Sequence, residues 1–265
     1  MNYLEIIEDA LKRVREKVME TYPPKDQNTT SVNAFGDIQY RLDRIAEESL
    51  ISSIKPHLPD CSIISEESGI IDGKSNRQTV IMDPLDGSVN AMRGIPFFSA
   101  TLAIADGKNF SDIVSAGVMD LLHDDLFLSD GFGATLNGIS IRPSNERDPD
   151  EAVISFDIKM RNAESESRFR NIGKFMQMVK SPRTLGSAAL ETVYVGAGRL
   201  DAYLAPSKQL RTFDCLPSLF IAKSAGAVIE GIDMDLNTVS LFERGGIAYL
   251  APSTKDLMNW MQSTL

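Results

Sequence analysis

The sequence has few of the residues that build disulfide frameworks or zinc sites. Its 265 residues include two cysteines, Cys61 and Cys215, and two histidines, His57 and His123. Two thiols do not make the disulfide framework of a small secreted domain, and two buried free thiols are favoured over a disulfide bond. Both histidines stand apart from the motifs described below, which argues against a histidine-ligated zinc site.

Long apolar runs and an excess of positive charge are also missing. No apolar stretch approaches the length of a membrane span, and residues 1–22 carry too many charges for a secretory signal peptide. The net charge of −10 argues against nucleic acid or an anionic membrane as a partner, because both are polyanions. We therefore expect a cytoplasmic protein whose partner is a small molecule.

The most informative stretch runs from Ile81 to Ser88. The β-branched and apolar residues 79–82 predict a buried strand, which Pro84 ends near Asp83 because proline cannot donate a ladder hydrogen bond. Asp83 and Asp86 then fall at the end of the strand. Two carboxylates in such a turn suit a hard cation such as Mg²⁺, and the alternative interpretation is a solvated, Asp-rich turn.

Two further motifs carry acids at the ends of predicted elements. The predicted strand Ser62–Ser65 runs into Glu66 and Glu67, and Asp214 follows Phe213 ahead of a predicted helix. Asp214 can act as the cap of that helix, as a metal ligand, or as both at once. Several carboxylates close together can hold a pair of metal ions that clamps a phosphoryl group.

In this order the three motifs resemble the signature of the inositol monophosphatase family, part of the lithium-sensitive, magnesium-dependent phosphatase superfamily. They are Glu-Glu-Ser at 66–68, Asp-Pro-Leu-Asp-Gly-Ser at 83–88 and Phe-Asp at 213–214. The resemblance implies an α/β fold, the layered α-β-α-β-α sandwich of the inositol monophosphatase and fructose-1,6-bisphosphatase type. It is closest to the archaeal branch that hydrolyses both inositol monophosphate and fructose 1,6-bisphosphate.

The resemblance implies a site for two or three Mg²⁺ ions, for which Mn²⁺ can substitute. The implied ligands of the first two ions are carboxylates and one backbone carbonyl: Glu66, Asp83, Leu85, Asp86 and Asp214. Asp83 is implied to bridge these two ions. A further, weaker ion is implied near Glu66 and Glu67, which places both glutamates among the catalytic candidates.

The resemblance also assigns two side chains to the attacking water. Asp43, in the early part of a predicted helix, and the hydroxyl of Ser88 are implied to orient that water. The family usually has a threonine where this chain has Tyr40, so this part of the site departs from the family pattern. The alternative interpretations are a solvated helix-face charge for Asp43 and a covalent nucleophile for Ser88, which has no histidine base nearby in the sequence.

Substrate contacts are implied at two glycine-containing turns and at a set of cations. The backbone N–H groups of Gly87 and Ser88, beside Asp86, are expected to hold the phosphate, most effectively if a helix begins there. The implied contacts to sugar or cyclitol hydroxyls are Gly186, Ser187 and Ala188. Three cations near these motifs can hold a second phosphate, and the alternative for each is a solvated surface charge: Arg183, Lys208 and Arg211.

The remaining pattern divides the chain into two parts. Residues 1–148 are predicted to form an α+β subdomain with most of the metal ligands. Residues 149–265 are predicted to form an α/β subdomain that carries Asp214 and the substrate-specificity residues. A homodimer is expected by analogy with the family.

Local signals predict several element boundaries. Residues 25–36 and 205–212 are expected to form loops, and Asp37 to cap the second helix. Helices are also predicted at 164–178 and after Ser253, which is expected to be the cap of the last helix. Pro217 is expected in the first turn of the helix that follows Phe213, where proline is tolerated.

Two other functions are compatible with the same motifs. A nucleotide 3′-phosphatase of the same superfamily, acting on 3′-phosphoadenosine 5′-phosphate, would need an adenine pocket, to which the sequence does not point. A catalytically silent protein that binds metal or phosphate is the alternative from another class. The expected function is magnesium-dependent hydrolysis of inositol monophosphate, fructose 1,6-bisphosphate or both.

Overall fold

The computed structural model describes residues 2–23, 30–75, 77–158 and 172–264. The helices in these ranges are α1 (Tyr3–Thr21), α2 (Arg41–Ile54), α3 (Ser88–Arg93), α4 (Ala188–Gly196), α5 (Thr212–Ala225) and α6 (Lys255–Thr264). Residues 172–177 are also helical. They belong to the helix predicted at 164–178, of which residues 164–171 lie outside the described residues.

The strands form a hairpin and two sheets. The hairpin consists of β1 (Thr30–Val32) and β2 (Ile38–Tyr40). The strands of the larger sheet are β3 (Ser62–Ser65), β4 (Gly69–Ile71), β5 (Thr79–Asp86), β6 (Ser99–Ala105), β7 (Ile113–Asp120), β8 (Asp125–Ser129), β9 (Ala134–Leu136) and β10 (Ile139–Ser140). The strands of the smaller sheet are β11 (Val153–Phe156), β12 (Ser181–Arg183), β13 (Ala202–Leu210), β14 (Glu230–Gly231) and β15 (Ile247–Pro252).

The larger sheet is antiparallel except at one pair of strands. Its order is β10-β9-β8-β7-β6-β5-β3-β4, and β3 and β5 run parallel to each other. The smaller sheet has the order β12-β11-β13-β15-β14, in which β11 is parallel to both of its neighbours. The parallel pair in the larger sheet is important because ligands of α/β proteins bind beyond the carboxyl ends of parallel strands.

The layers follow from the alternation of side chains along the strands. In β5, Val80 and Met82 pack with α1 and α2, whereas Ile81 faces the inner core that includes α4 and α5. Tyr203 and Tyr249 of the smaller sheet join the same inner core. The outer face of the smaller sheet packs against α6 and the helical residues 172–177. This is the layered α-β-α-β-α sandwich, which confirms the predicted fold class.

The segment around residue 37 differs from the prediction. Part of the expected loop 25–36 is strand β1, which pairs with β2. Helix α2 follows directly with Tyr40 as its N-cap residue, so the expectation that Asp37 caps this helix is wrong. The capping contact comes from Asp43, whose Oδ2 accepts the Tyr40 N–H at 2.6 Å. Asp37 pairs instead with Arg211, whose Nη1 lies 2.7 Å from Asp37 Oδ2.

Two other boundaries near the C-terminus differ from the prediction. Helix α6 begins at Lys255, and Thr254 Oγ1 accepts the N–H of Leu257 at 3.3 Å. Thr254 therefore makes the capping contact that was expected from Ser253. Residues 205–212, expected to be a loop, belong to strand β13 as far as Leu210.

The predicted division of the chain after Asp148 falls between the two sheets. Ile81 and Phe127 of the larger sheet and Tyr203 of the smaller sheet share one inner core. The assignment of two separate subdomains stays a prediction.

Two expectations from the composition can be compared with the structure. Cys61 and Cys215 are both buried and are not joined in a disulfide bond, which confirms the prediction of two buried thiols. In the described part of the chain, no helix combines the length and the apolar character needed to span a bilayer.

The close packing of α1 against the larger sheet yields a stability prediction. A Cβ atom on Gly117 of β7 would lie 2.5 Å from Ile7 Cγ2 and 2.7 Å from Leu11 Cδ1. We expect Gly117→Ala to lower the free energy of unfolding by about 1–3 kcal/mol, because overpacking displaces the helix. Chemical denaturation measures this change. The control is Gly133→Ala, whose Cβ would meet nothing within 4 Å, and an equal loss in both variants would contradict the prediction.

Candidate active site

The parallel strands β3 and β5 place two acids side by side. In their register Ser65 lies opposite Met82, so Glu66 and Asp83 follow at the same edge of the larger sheet. Glu66 is the first residue after β3, whereas Asp83 still belongs to β5. The parallel pairing of β3 and β5 therefore brings together two acids that are well separated in the sequence.

The sequence predicted that strand β5 ends near Asp83, but the strand continues to Asp86. Its register with β6 shifts between these two residues, so Pro84 lies where a regular ladder hydrogen bond is not required. Asp83 Oδ1 accepts the Leu85 N–H at 3.0 Å, and the Asp83 N–H donates to Thr101 Oγ1 at 3.1 Å. These two contacts fix both the backbone and the carboxylate of Asp83.

Asp214 reaches the same edge of the sheet from the other half of the chain. It is the third residue of α5, and its Oδ2 accepts the Arg211 N–H at 2.7 Å. Carboxylate oxygens of Glu66, Asp83 and Asp214 lie within 4.8 Å of one another. Asp214 therefore stabilises the start of its helix, one of the two roles that the sequence left open, and also belongs to a carboxylate cluster. Its role as a metal ligand stays a prediction.

Thr101 of β6 holds α5 against β5. Pro217 lies in the second turn of α5, not in the first turn as predicted, and it cannot donate to the Phe213 carbonyl. Thr101 Oγ1 donates to that carbonyl at 3.3 Å and accepts the Asp83 N–H. One hydroxyl thus joins the strand that carries Asp83 to the helix that carries Asp214. No local pattern in the sequence predicted this role of Thr101.

The carboxylate cluster is electrostatically unfavourable as a group of bare anions. Burial raises the pKa of Glu66 and of Asp83 well above the ordinary range, and the neighbouring carboxylates raise both further. Oxygen ligands at this spacing, with an excess of negative charge, fit a hard divalent cation. Glu66, Asp83 and Asp214 therefore fit the implied metal site and would be ligands in it.

Asp86 lies in the same cleft but outside this three-carboxylate cluster. Its Oδ2 accepts the Ala189 N–H at 2.9 Å and also the Ser187 hydroxyl. Both donors belong to the start of α4, for which Ser187 is the N-cap residue. The roles of Asp86 and of the Leu85 carbonyl as metal ligands stay predictions.

A buried glutamate of α4 holds the loop that precedes this helix. Glu191 Oε1 accepts the Leu185 N–H at 2.9 Å and the Ser155 hydroxyl. Its Oε2 accepts the N–H groups of Gly186 at 3.2 Å and Ser187 at 3.3 Å. Burial raises the pKa of Glu191 to about 7. Glu191 was not predicted from the sequence, although an acid among mainly apolar helical positions was an available signal.

Asp43 and Glu67 are two more buried acids beside the cleft. Burial raises the pKa of Asp43 to about 6, while the Tyr40 N–H and the neighbouring Ser88 hydroxyl act in the opposite direction. Burial, together with the charge of Asp43, raises the pKa of Glu67 to about 8. The Ser88 hydroxyl itself donates to the Leu85 carbonyl at 2.7 Å. Asp43 and Ser88 are thus neighbours, as their predicted common task requires.

The predicted phosphate and substrate turns lie next to each other in a cleft of about 660 Å³. Helix α3 begins at Ser88, with Gly87 as its N-cap residue at φ 87°. A Cβ on Gly87 would lie 3.2 Å from the Gly186 carbonyl, so the close approach of the two turns requires glycine. Asn90, which was not predicted from the sequence either, donates through Nδ2 to the Leu185 carbonyl at 2.8 Å. Gly87, Ser88, Gly186 and Ala188 all line the cleft.

Of the three predicted cations, the structure brings Arg211 to the cleft. Its guanidinium pairs with Asp37 and lies 4.5 Å from the centroid of the Phe35 ring. Arg183 and Lys208 are exposed and do not line the cleft. Among the described residues that line the cleft, Arg211 is the one cation.

The fold and the carboxylate cluster together define a layered α/β protein with a site for divalent cations. The sequence profile of the inositol monophosphatase family matches residues 2–261. The chain belongs to this family, which confirms the resemblance found in its motifs. The family is generally metal-dependent, and membership supports a phosphatase that acts on phosphomonoesters.

Similar proteins cover most of the chain. A Nus factor SuhB from Pasteurella multocida is 29% identical over 261 residues, which cover 97% of this chain and 94% of the relative. A fructose-1,6-bisphosphatase/inositol-1-monophosphatase from Thermococcus kodakarensis is 31% identical over 230 residues, 86% of this chain and 83% of the relative.

Solved structures show the same fold. A crystal structure of an inositol monophosphatase–fructose 1,6-bisphosphatase matches with a TM-score of 0.82 at 27% identity over 100% of both chains. The extragenic suppressor protein SuhB from Bartonella henselae matches with a TM-score of 0.85 at 24% identity, covering 98% of this chain and 96% of that one. The second match is evidence for the fold alone.

The raised pKa values predict how stability depends on pH without metal. Glu67 moves from an ordinary value of 4.5 to about 8, and Asp43 from 3.8 to about 6. The folded state therefore binds more protons than the unfolded state above about pH 4. We expect the free energy of unfolding, measured with a chelator present, to fall as the pH rises from 5 through about 8.

Denaturation curves at several pH values test this expectation. Glu67→Gln removes one of the raised groups and should make the dependence on pH shallower. A stability that rises over this pH range would contradict the prediction. Saturating Mg²⁺ should also weaken the dependence, because a bound cation favours the ionised carboxylates.

Proposed function

We propose that this protein is a magnesium-dependent phosphomonoester hydrolase that releases phosphate from inositol monophosphate and fructose 1,6-bisphosphate. The observation that carries the proposal is the cluster of Glu66, Asp83 and Asp214, whose ligand oxygens lie within 4.8 Å of one another at the cleft. Family membership supports the reaction class. The relative from Thermococcus kodakarensis supports the choice of substrates, whereas the name SuhB states none.

The carboxylates of the cleft prepare a site for cations. When bound, divalent cations neutralise the phosphoryl oxygens and lower the pKa of water. Without them, Glu66, Asp83, Asp86 and Asp214 would repel an anionic phosphate from the cleft they line. We assign these four residues, with the Leu85 carbonyl, to cation binding.

Asp43 and Ser88 are the residues that we assign to the attacking water. With a pKa of about 6, Asp43 is ionised at neutral pH and can accept a hydrogen bond from water. The Ser88 hydroxyl lies at the start of α3, where the Leu85 carbonyl fixes its direction. Covalent attack by Ser88 is disfavoured, because no histidine is among the described residues that line the cleft.

The walls of the cleft support a substrate rich in hydroxyl groups. Apart from the assigned cation ligands, the polar residues that line it include Asp37, Asp157, Tyr203 and Gln209. Carboxylates, amides and phenols form hydrogen bonds with sugar or cyclitol hydroxyls. We assign the N–H groups of Gly87 and Ser88 to the phosphate that is cleaved, and Gly186 and Ala188 to the ring.

A second phosphate would depend on Arg211. This residue is the one cation among the described residues of the cleft lining, and its guanidinium is paired with Asp37. A guanidinium can bind phosphate through two parallel hydrogen bonds. Fructose 1,6-bisphosphate would therefore compete with Asp37 for Arg211, whereas inositol monophosphate would not.

The small molecules to be assayed separate this proposal from its closest rival. Inositol 1-phosphate, fructose 1,6-bisphosphate and 3′-phosphoadenosine 5′-phosphate are compared in the presence of Mg²⁺. Preferred hydrolysis of the nucleotide would replace the proposed substrates by those of a nucleotide 3′-phosphatase.

We further propose that the protein acts as a homodimer in the cytoplasm, without nucleic acid or membrane as a partner.

Removal of one central carboxylate tests the cation site. We expect Asp83→Asn to reduce kcat/KM by at least about 100-fold, equivalent to about 3 kcal/mol, because a charged ligand is lost. The metal-free variant should also unfold at a higher temperature than the metal-free parent, because repulsion with Glu66 is relieved. Phosphate release and thermal unfolding, each with Mg²⁺ and with a chelator, measure the two effects.

The matched control for this substitution is Asp130→Asn. Asp130 is exposed and accepts the Phe132 N–H at 3.1 Å in a surface turn. The control should retain full activity and the full response of thermal unfolding to Mg²⁺. Undiminished phosphate release by Asp83→Asn, or full turnover after exhaustive chelation, would remove the proposed mechanism.

The predicted role of Arg211 is tested by comparing two substrates. We expect Arg211→Ala to lower kcat/KM for fructose 1,6-bisphosphate by roughly tenfold to 100-fold, the value of a charge-assisted contact of about 1.5–3 kcal/mol. Inositol 1-phosphate lacks a second phosphate and should lose much less. Arg183→Ala is the matched control, because Arg183 is exposed and does not line the cleft.

Two outcomes of this comparison would contradict the proposed contact between Arg211 and a second phosphate. Equal losses on both substrates would show that Arg211 is not part of a second-phosphate subsite. A selective loss of fructose 1,6-bisphosphate hydrolysis in Arg183→Ala would restore the sequence-based assignment of that residue and would contradict the arrangement of the cleft described above.

A further inference from the structure

The loop ahead of α4 contacts both the cleft and a carboxylate from the other half of the chain. Gly186 and Ala188 line the cleft, while Ser187 and Ala189 donate to Asp86 Oδ2. The shape of this one loop therefore affects the place of the substrate ring and the direction of the Asp86 carboxylate. A residue that holds this loop in place therefore also affects where the substrate ring lies and where the Asp86 carboxylate points.

Glu191 holds this loop in place through hydrogen bonds to its backbone. Its carboxylate accepts three consecutive backbone N–H groups, those of Leu185, Gly186 and Ser187. It also accepts the Ser155 hydroxyl from β11, so the loop is tied to the smaller sheet. The side chain is 2% exposed, which leaves it little access to water as a replacement for these donors.

The chemistry of these contacts requires a carboxylate. Each of the two Glu191 oxygens accepts two hydrogen bonds, and all four partners are donors. A glutamine at this position has one acceptor oxygen, and its NH₂ group would face two donors. Leaving buried donors unsatisfied is costly, so the loop would have to change its shape.

We infer that Glu191 is a positioning residue that orients Asp86 toward the cation site and holds Gly186 and Ala188 at the substrate ring. The inference rests on the proposed function in that it takes Asp86 as a cation ligand and the cleft as a phosphomonoester site. Glu191 acts through the loop, because its own carboxylate oxygens are occupied by the four donors. Residues that orient metal ligands commonly change metal affinity or activity by about 10–100-fold when they are replaced.

The test is Glu191→Gln in the full-length protein, with Mn²⁺ as the probe of the cation site. Calorimetric titration with Mn²⁺ is expected to show affinity about tenfold weaker than in the parent. Steady-state assays with inositol 1-phosphate and Mg²⁺ are expected to show a higher KM and a higher Mg²⁺ requirement, with part of kcat regained at saturating Mg²⁺. A role confined to stability would change neither the Mn²⁺ affinity nor the KM of the folded protein.

The matched control is Thr192→Val, one residue further along α4. Thr192 is fully buried and its hydroxyl forms a 2.8 Å hydrogen bond with the Tyr249 hydroxyl. This variant should be less stable than the parent but should retain the parent's Mn²⁺ affinity and KM. If Glu191→Gln does not fold, Ser155→Ala is measured in its place. That variant removes one of the four donors, and a smaller change in the same direction is expected.

The outcomes separate this inference from the proposed function. Parental Mn²⁺ affinity and parental KM in a folded Glu191→Gln variant would overturn the positioning role, whichever substrate the parent hydrolyses. Equal weakening of Mn²⁺ binding by Thr192→Val would also overturn it. Weaker Mn²⁺ binding by Glu191→Gln supports the role even if the parent hydrolyses none of the proposed phosphomonoesters, in which case the proposed function alone fails.

Discussion

Glu66, Asp83 and Asp214 bring three negative charges together where the protein partly excludes water. Burial, and after it this repulsion, raise the pKa values of Glu66 and Asp83, and a cation can relieve the repulsion. The fold holds this unfavourable arrangement through contacts that do not depend on the charges themselves. These contacts include the parallel register of β3 and β5 and the Thr101 hydroxyl that bridges to α5. The backbone scaffold therefore holds the carboxylates together against their mutual repulsion, and a divalent cation bound among them would relieve that repulsion.

Elsewhere around the cleft, too, the residues that face it are distinct from the groups that hold them in place. Residues that face the cleft are held by buried polar groups that do not react. Glu47 accepts both the N–H and the hydroxyl of Ser68 and so fixes the turn after Glu66. Asn90 and Glu191 act in the same way on the loop ahead of α4. These contacts would preserve the shape of the cleft if bound cations changed its charge.

Periodicity predicted most elements, whereas the layered fold and the convergence of the central carboxylates were implied by the family resemblance of three short motifs. The elements and the motifs are local signals, such as the apolar strand before Asp83. The sequence could not reveal contacts that join distant positions, such as the pair of Arg211 with Asp37. It also placed Arg183 near the substrate, because sequence proximity to Gly186 does not specify which way a strand-edge side chain points. Glu191 was missed because its four donors come from two other segments.

The bridge from Thr101 to the Phe213 carbonyl has a consequence for the order in which the chain assembles. During synthesis, the ribosome completes the larger sheet, with Glu66 and Asp83, well before it reaches Asp214. A nascent chain at that stage lacks Asp214, one of the proposed cation ligands, and has an unused donor at Thr101. If Asp214 is a ligand, tight cation binding would begin only when α5 docks, and bound metal would favour chains whose two halves have met.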